Sequence, residues 1–191
     1  MEWKTEEFGA SHEGWVGAVL DDGSEPKEAV LDSGSSANFH RTREWWAYSG
    51  KLNRSRATVA RGACSCGWRG EEQYPIDWDE VDAFTDEFPM KEPYDEWRQH
   101  IRDVQAQTIP LPPELEELLG RVEEQLYALV EDAPLAALKA VAALERTAKS
   151  ISHRAAEYAA ADDLSMESIS QALGLSQEDA RSRLLRYSLM R

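Results

Sequence analysis

LSMESISQALGLSQEDARSRL, residues 164–184, is the stretch whose spacing sets the architecture of the C-terminal half. Ser165 stands where an N-cap belongs, its hydroxyl placed to accept from the free backbone donors of the next turn. Ile169, Ala172 and Leu173 then recur at helical spacing. Gly174 follows at the position where a left-handed residue ends a helix. Leu175 fills the inside of the turn, and Ser176 caps a second helix whose apolar stripe is Ala180, Leu184 and Leu185. Arg181, Arg183 and Arg186 lie largely off that stripe. The pattern predicts a helix-turn-helix over residues 164–186, in which small residues let the two helices cross closely.

Upstream of it the chain reads as helical back to a proline-rich break. Leu138, Val141, Leu144, Ala148, Ile151, Ala155 and Tyr158 predict the inward face of a long helix over 134–161, with Pro134 just inside its start. Leu115, Leu118, Leu119, Val122, Leu126 and Val130 recur at close to heptad spacing over 113–131. That stripe suits packing inside a helical bundle or a homodimer face. Ile109-Pro110-Leu111-Pro112-Pro113 stiffens the connection toward an extended form and marks the boundary. Three segments follow: a domain over 1–108, a linker over 109–113 and a helical domain over 114–191.

The first segment mixes strand and helix signals. Residues 14–20 suit a short strand ended by Asp21-Asp22-Gly23, 25–31 a second short element and 32–36 a loop. Residues 57–60 and 73–76 suit a hairpin. Residues 78–88 and 93–107 read as helices separated by a Pro89/Pro93 break, with Tyr94, Trp97, Ile101 and Val104 on one face of the second. Phe39, Trp45, Trp46 and Tyr48 form an aromatic concentration expected to be buried or bound to something, with burial in the core the commoner outcome. The fold class expected is an α+β N-terminal domain followed by an all-α domain ending in the helix-turn-helix, mainly α overall.

Charge separates the two parts. The formal net charge of −15 argues against indiscriminate binding to nucleic acid or an anionic membrane. Residues 1–112 hold 12 Lys and Arg against 22 Asp and Glu, whereas residues 134–191 hold 8 against 7. The segment with a DNA-compatible balance is thus the one with the helix-turn-helix. No run of about 18 apolar residues is present for a membrane span, and the N-terminus lacks the basic-then-apolar order of a signal peptide. A soluble cytoplasmic protein is expected.

Cys64-Ser65-Cys66-Gly67-Trp68-Arg69-Gly70 is the second informative stretch. Two cysteines at a predicted hairpin tip, followed by glycine, suit a metal knuckle. A structural zinc takes four ligands, commonly two Cys and two His. His100, one turn after Trp97 on a helix, is the expected third ligand. His40 is taken as the fourth, with His12 the other choice. A reduced pair without metal and a redox pair closing on itself are the alternatives, and Arg61 and Arg69 nearby would favour a thiolate. GxSxG, P-loop, GxGxxG and HExxH patterns are all missing, so an enzyme is not expected.

Two resemblances bear on function. Ile169, Ala172, Leu173, Gly174, Leu175, Ser176, Ala180, Arg181, Arg183 and Leu184 resemble the helix-turn-helix of small actinobacterial regulators and of the DNA-binding region of sigma factors. That resemblance implies a second helix entering the major groove, with Ser176, Gln177, Arg181, Arg183 and Arg186 toward DNA. Glu178 and Asp179 depart from the pattern, since carboxylates there suit the helix dipole but repel phosphate. Cys64, Cys66, Gly67, Trp68, Gly70, Trp97 and His100 resemble a CxCGW zinc-binding-like module of actinobacterial proteins, although the usual spacing of the cysteines is two. The expectation is a dimeric DNA-binding transcription regulator whose zinc-stabilised N-terminal domain senses or recruits. The alternative is an adaptor, possibly a DNA mimic, whose acidic surface binds a basic protein.

Overall fold

Small and β-branched residues dominate GWVGAVL and ATVARGAC, which makes both stretches fit a closely packed sheet. The computed structural model describes residues 2–32, 39–83 and 91–189, without the side chains of 32, 39, 40, 82 and 83. Its strands are β1 (Gly14–Leu20), β2 (Ala29–Asp32), β3 (Phe39–Thr42), β4 (Ala57–Cys64) and β5 (Tyr74–Pro75). Its helices are α1 (Trp78–Ala83), α2 (Lys91–Gln107), α3 (Pro113–Asp132), α4 (Pro134–Ala161), α5 (Met166–Leu173) and α6 (Gln177–Leu189). The chain divides into two compact units, Met1–Gln105 and Ala106–Arg191. The first holds the antiparallel sheets and the second is wholly helical among the described residues.

β4 is the central strand of the larger sheet, with β1 on one side and β5 on the other. Its register runs from Gly14 opposite Cys64 to Val19 opposite Val59. The expected hairpin of 57–60 with 73–76 survives only as a two-residue edge, Val59 with Pro75 and Ala60 with Tyr74. Pro75 has no N–H to extend a ladder, whereas β1 offers seven residues to pair. β2 and β3 form a separate antiparallel pair, in which His40 lies opposite Leu31. The loop expected at 33–36 and the end of the helix expected at 84–88 lie outside the described residues.

The core of this unit is aromatic. Trp3, Trp45, Tyr48, Trp78 and Trp97 are buried around Val16, Ala18, Ala57 and Ala60. Two of their polar ends, on Trp78 and Tyr48, find backbone partners, as buried Trp and Tyr favour. Trp78 Nε1 donates to the Ala57 carbonyl at 2.8 Å, and the Tyr48 hydroxyl donates to the Lys27 carbonyl at 2.8 Å. Trp46, expected inside with the others, is instead 42% exposed. It shares a short 3-10 turn, Trp45–Tyr48, with two buried aromatics that point the other way.

Gly14 shows how small residues set the geometry. A Cβ there would lie 2.5 Å from Trp97 Nε1 and 2.6 Å from its Cδ1, so the bare backbone is what lets α2 lay its indole on β1. α2 starts two residues earlier than the sequence suggested, with Pro93 in its first turn, where proline is tolerated.

In the helical unit, α4 packs against both α3 and α6, and α5 against α6. The expected inward face of α4 is corrected. Leu138, Ile151 and Tyr158 are 66%, 61% and 62% exposed, and the residues buried are Ala137 and Ala156. α4 meets its neighbours along narrow seams in which alanines allow close approach, leaving the larger side chains outside. No residue of α3 is buried. Ile109, in the expected linker, donates its N–H to the Ala172 carbonyl at 2.9 Å, which ties that segment to α5. No described helix is long and apolar enough to cross a membrane.

Gly14→Ala is expected to lower stability by about 1–3 kcal/mol through overpacking against Trp97, read as a reduced urea midpoint with an unchanged slope.

Candidate metal centre and helix-turn-helix

The side chains of His12, Cys64, Cys66 and His100 converge, with one potential ligand atom from each lying within 4.8 Å of every other. His12 ends a 3-10 turn, Gly9–His12; Cys64 ends β4; Cys66 lies in the turn beyond; His100 sits on α2. His12 Nδ1 is 3.3 Å from His100 Nε2 and 3.8 Å from Cys64 Sγ, and Cys66 Sγ is 3.3 Å from His100 Nε2. A tetrahedral ion with bonds of about 2.0–2.1 Å to nitrogen and 2.3 Å to sulfur has N–N and N–S edges of roughly 3.3 and 3.6 Å. Those three separations are close to these edges, and the four donors can hold one metal ion.

Local sequence explains the convergence. Gly67, at φ 98°, takes the left-handed conformation that turns the chain after Cys66, and its N–H donates to the Cys64 carbonyl at 3.0 Å. Ser65, between the cysteines, binds the His12 segment on both faces. Its Oγ donates to the Ala10 carbonyl at 2.7 Å and accepts from Glu13 N–H at 2.9 Å, while its own N–H donates to the Glu13 carbonyl at 2.8 Å. Trp97, seated on Gly14 directly opposite Cys64 in the sheet, sets the rotation of α2 and so presents His100 one turn later. Trp68 stacks on His100 with planes 7° apart and centroids at 4.6 Å. Phe8 packs edge-on to His12 at 5.4 Å.

Among the described side chains, it is His12 that joins Cys64, Cys66 and His100. His40 stands on β3, in the other sheet, with its side chain outside the described residues. Spacing alone favoured neither histidine, because the ties that carry His12 to the knuckle belong to Ser65 and to backbone. A serine between two cysteines was the available signal.

Electrostatics favour a thiolate here. The Cys64 thiol is pushed up, first because it donates to Cys66 and second because it is buried. Cys66 is held well below the usual thiol range, chiefly by that same hydrogen bond, with the His100 and His12 side chains adding to it. One proton is thus shared by two sulfurs, and a cation replacing it would satisfy both. Trp97 Nε1, buried without a hydrogen-bond partner, also favours the Cys64 thiolate. Groups of this kind around the ligands tune a metal site.

A second ring of charge braces the knuckle. Arg69 donates through Nη1 to the Cys64 and Trp68 carbonyls at 3.1 and 2.8 Å, and through Nε to Glu25 at 2.6 Å. Glu25 also accepts from Arg61 on β4. Arg69 first and Arg61 second hold the Glu25 carboxyl below its ordinary range.

The helix-turn-helix has its expected caps. Ser165 Oγ accepts from Ser168 N–H at 3.1 Å, and Ser176 Oγ accepts from Asp179 N–H at 3.0 Å. Gly174 is left-handed at φ 63°, ψ 34°, and Leu175 and Ala180 are buried. Ser176, Gln177, Arg181 and Arg186 are exposed, whereas Arg183 is half-buried. Leu185, expected in the inner stripe, is 57% exposed, because α6 turns Ala180, Leu184 and Tyr187 inward instead. No protein-family model, curated protein or solved structure matches this chain.

Purified protein is expected to carry one metal ion per chain by elemental analysis. His12→Ala or Cys64→Ser should abolish that content and His40→Ala should leave it intact. Protons compete for all four donors, so the ion should be released as pH falls below about 5. Glu25→Gln is expected to lower the melting temperature at pH 7. Because its carboxyl pKa is depressed on folding, the difference from wild type should shrink as pH falls through the carboxylate range.

Proposed function

We propose that this chain is a DNA-binding regulator in which α6 is the recognition helix and a structural zinc ion organises the N-terminal unit. The observation that carries the reading is the pair of capped helices, α5 and α6, joined at left-handed Gly174 and packed with α4 as a third helix. In this arrangement the start of α6 enters the major groove. Ser176 and Gln177 stand at its exposed N-terminus, where a glutamine can pair bidentately with adenine. Arg181 and Arg186 are exposed along it and reach phosphate or guanine. Half-buried Arg183 has less freedom to do so, and its contribution is the smaller one.

Zinc is the ion because two imidazoles and two thiolates in tetrahedral disposition match its preferences. Two thiolates neutralise its charge, which suits a site whose Cys64 is only 1% exposed. Four protein donors close the shell, so the ion holds β4, the N-terminal turn and α2 together and performs no chemistry.

Two features support a different reading. Glu178 is exposed in the first turn of α6, and residues 1–112 carry a large acidic excess. Both suit a surface that docks a basic protein.

The deciding experiment is selection of duplexes from fragmented genomic DNA by the full chain in moderate salt. A defined site should be enriched, and Arg181→Ala and Arg186→Ala should each weaken binding and reduce the salt slope by about 1. Arg183→Ala should have the smaller effect. No enrichment at any salt would overturn the DNA reading and leave the adaptor.

A further inference from the structure

α3 is a 20-residue helix with none of its side chains buried. Leu115, Leu118, Leu119, Val122 and Val130 lie on one 120° face and are exposed, from 37% at Val122 to 56% at Val130, while Leu126 and Leu129 on the same face are half-buried. Leu119, Val122, Leu126, Tyr127 and Val130 line a shallow groove of about 310 Å³. The first half of α4 adds Leu135, Leu138, Val141 and Leu144, all more than a third exposed. Helices in water are held mainly by burying an amphipathic face, so this hairpin is incomplete by itself.

We propose that the occupant of this face is a second copy of the same chain, two α3–α4 hairpins closing into a four-helix bundle. Two observations select that occupant. The open apolar side chains of α3 and the first half of α4 amount to on the order of 1,000 Å², and each partner in a stable interface contributes about 800 Å². Charge supplies the second. α3 carries seven carboxylates against Arg121 alone, whereas α4 carries Lys139, Arg146, Lys149 and Arg154 against two. Two α3 helices side by side would repel. A two-fold bundle that alternates them places each acidic α3 between its own α4 and the partner's, so the arrangement complements itself. The α5–α6 motif follows directly on α4, so the pairing would present two recognition helices, as two half-sites require. The inference does not rest on DNA binding, and it is tested without DNA.

The test is the mass of the full, metal-loaded chain by sedimentation equilibrium, up to about 100 µM, which detects a dimer with micromolar Kd. The expected mass is twice 21.5 kDa. Leu119→Glu combined with Val122→Glu should return it to a monomer. Should that variant lose helix by circular dichroism, wild-type protein mixed from isotopically labelled and unlabelled chains is joined by a zero-length amine–carboxylate cross-linker. Mixed-isotope links from Lys139 or Lys149 to Glu117, Glu123 or Glu124 are expected. A monomeric mass throughout would overturn the proposal, as would a dimer whose mixed links avoid α3 and α4.

Discussion

The N-terminal unit depends on one contact, the indole of Trp97 lying on the bare backbone of Gly14. Gly14 sits opposite Cys64 at the end of the β1–β4 ladder, so whatever covers it also covers the first cysteine. A helix anchored there by a large, rigid side chain has its rotation set. The residue one turn on, His100, is then delivered to the knuckle. Any side chain at position 14 would lift the helix away, and the corner of the site held by His100 would open. Packing and ligation are therefore one constraint, in which the smallest residue of the strand receives the largest residue of the helix.

Around that contact the charges are graded. The innermost groups are two sulfurs sharing a proton, flanked by two imidazoles and an indole N–H. Outside them Arg69 holds the carbonyls of Cys64 and Trp68 and passes its charge to Glu25, which is shared with Arg61. A cation at the centre thus meets donors already fixed by backbone and by ion pairs, and little ordering is left to accompany its binding. The site lies in a unit whose remaining core is mostly tryptophan and alanine, a combination that leaves few large aliphatic side chains to hold the elements together. A cation held by His12, Cys64, Cys66 and His100 would cross-link β4, the N-terminal turn and α2 and so compensate for that.

The helical unit follows the opposite rule. The buried residues of α4 are alanines, while most of the leucines, valines and tyrosines of α3 and α4 are exposed, Leu126 and Leu129 being half-buried. The helix-turn-helix within it is tightly specified, since each turn of its path is held by a capping hydroxyl or a left-handed glycine. The rest of the unit is specified by pattern without being satisfied by burial. Such a hairpin finds its stability in what covers it.

Features that act within a few residues were legible in the sequence alone. Ser165, Gly174 and Ser176 announce caps and a turn, because those preferences arise from the local backbone and need no tertiary partner. The proline run at 110–113, the α+β to all-α change and the Cys-x-Cys-Gly turn belong to the same kind. Tertiary structure decided what depends on distance. It made β1 the long partner of β4, because strand pairing is a choice among segments that all carry acceptable patterns. It turned the bulky residues of α4 outward, because periodicity gives a stripe but not what the stripe meets. It placed His12 in the fourth corner, because Ser65 reaches 55 residues back along the chain to Ala10, a bond that no spacing rule records.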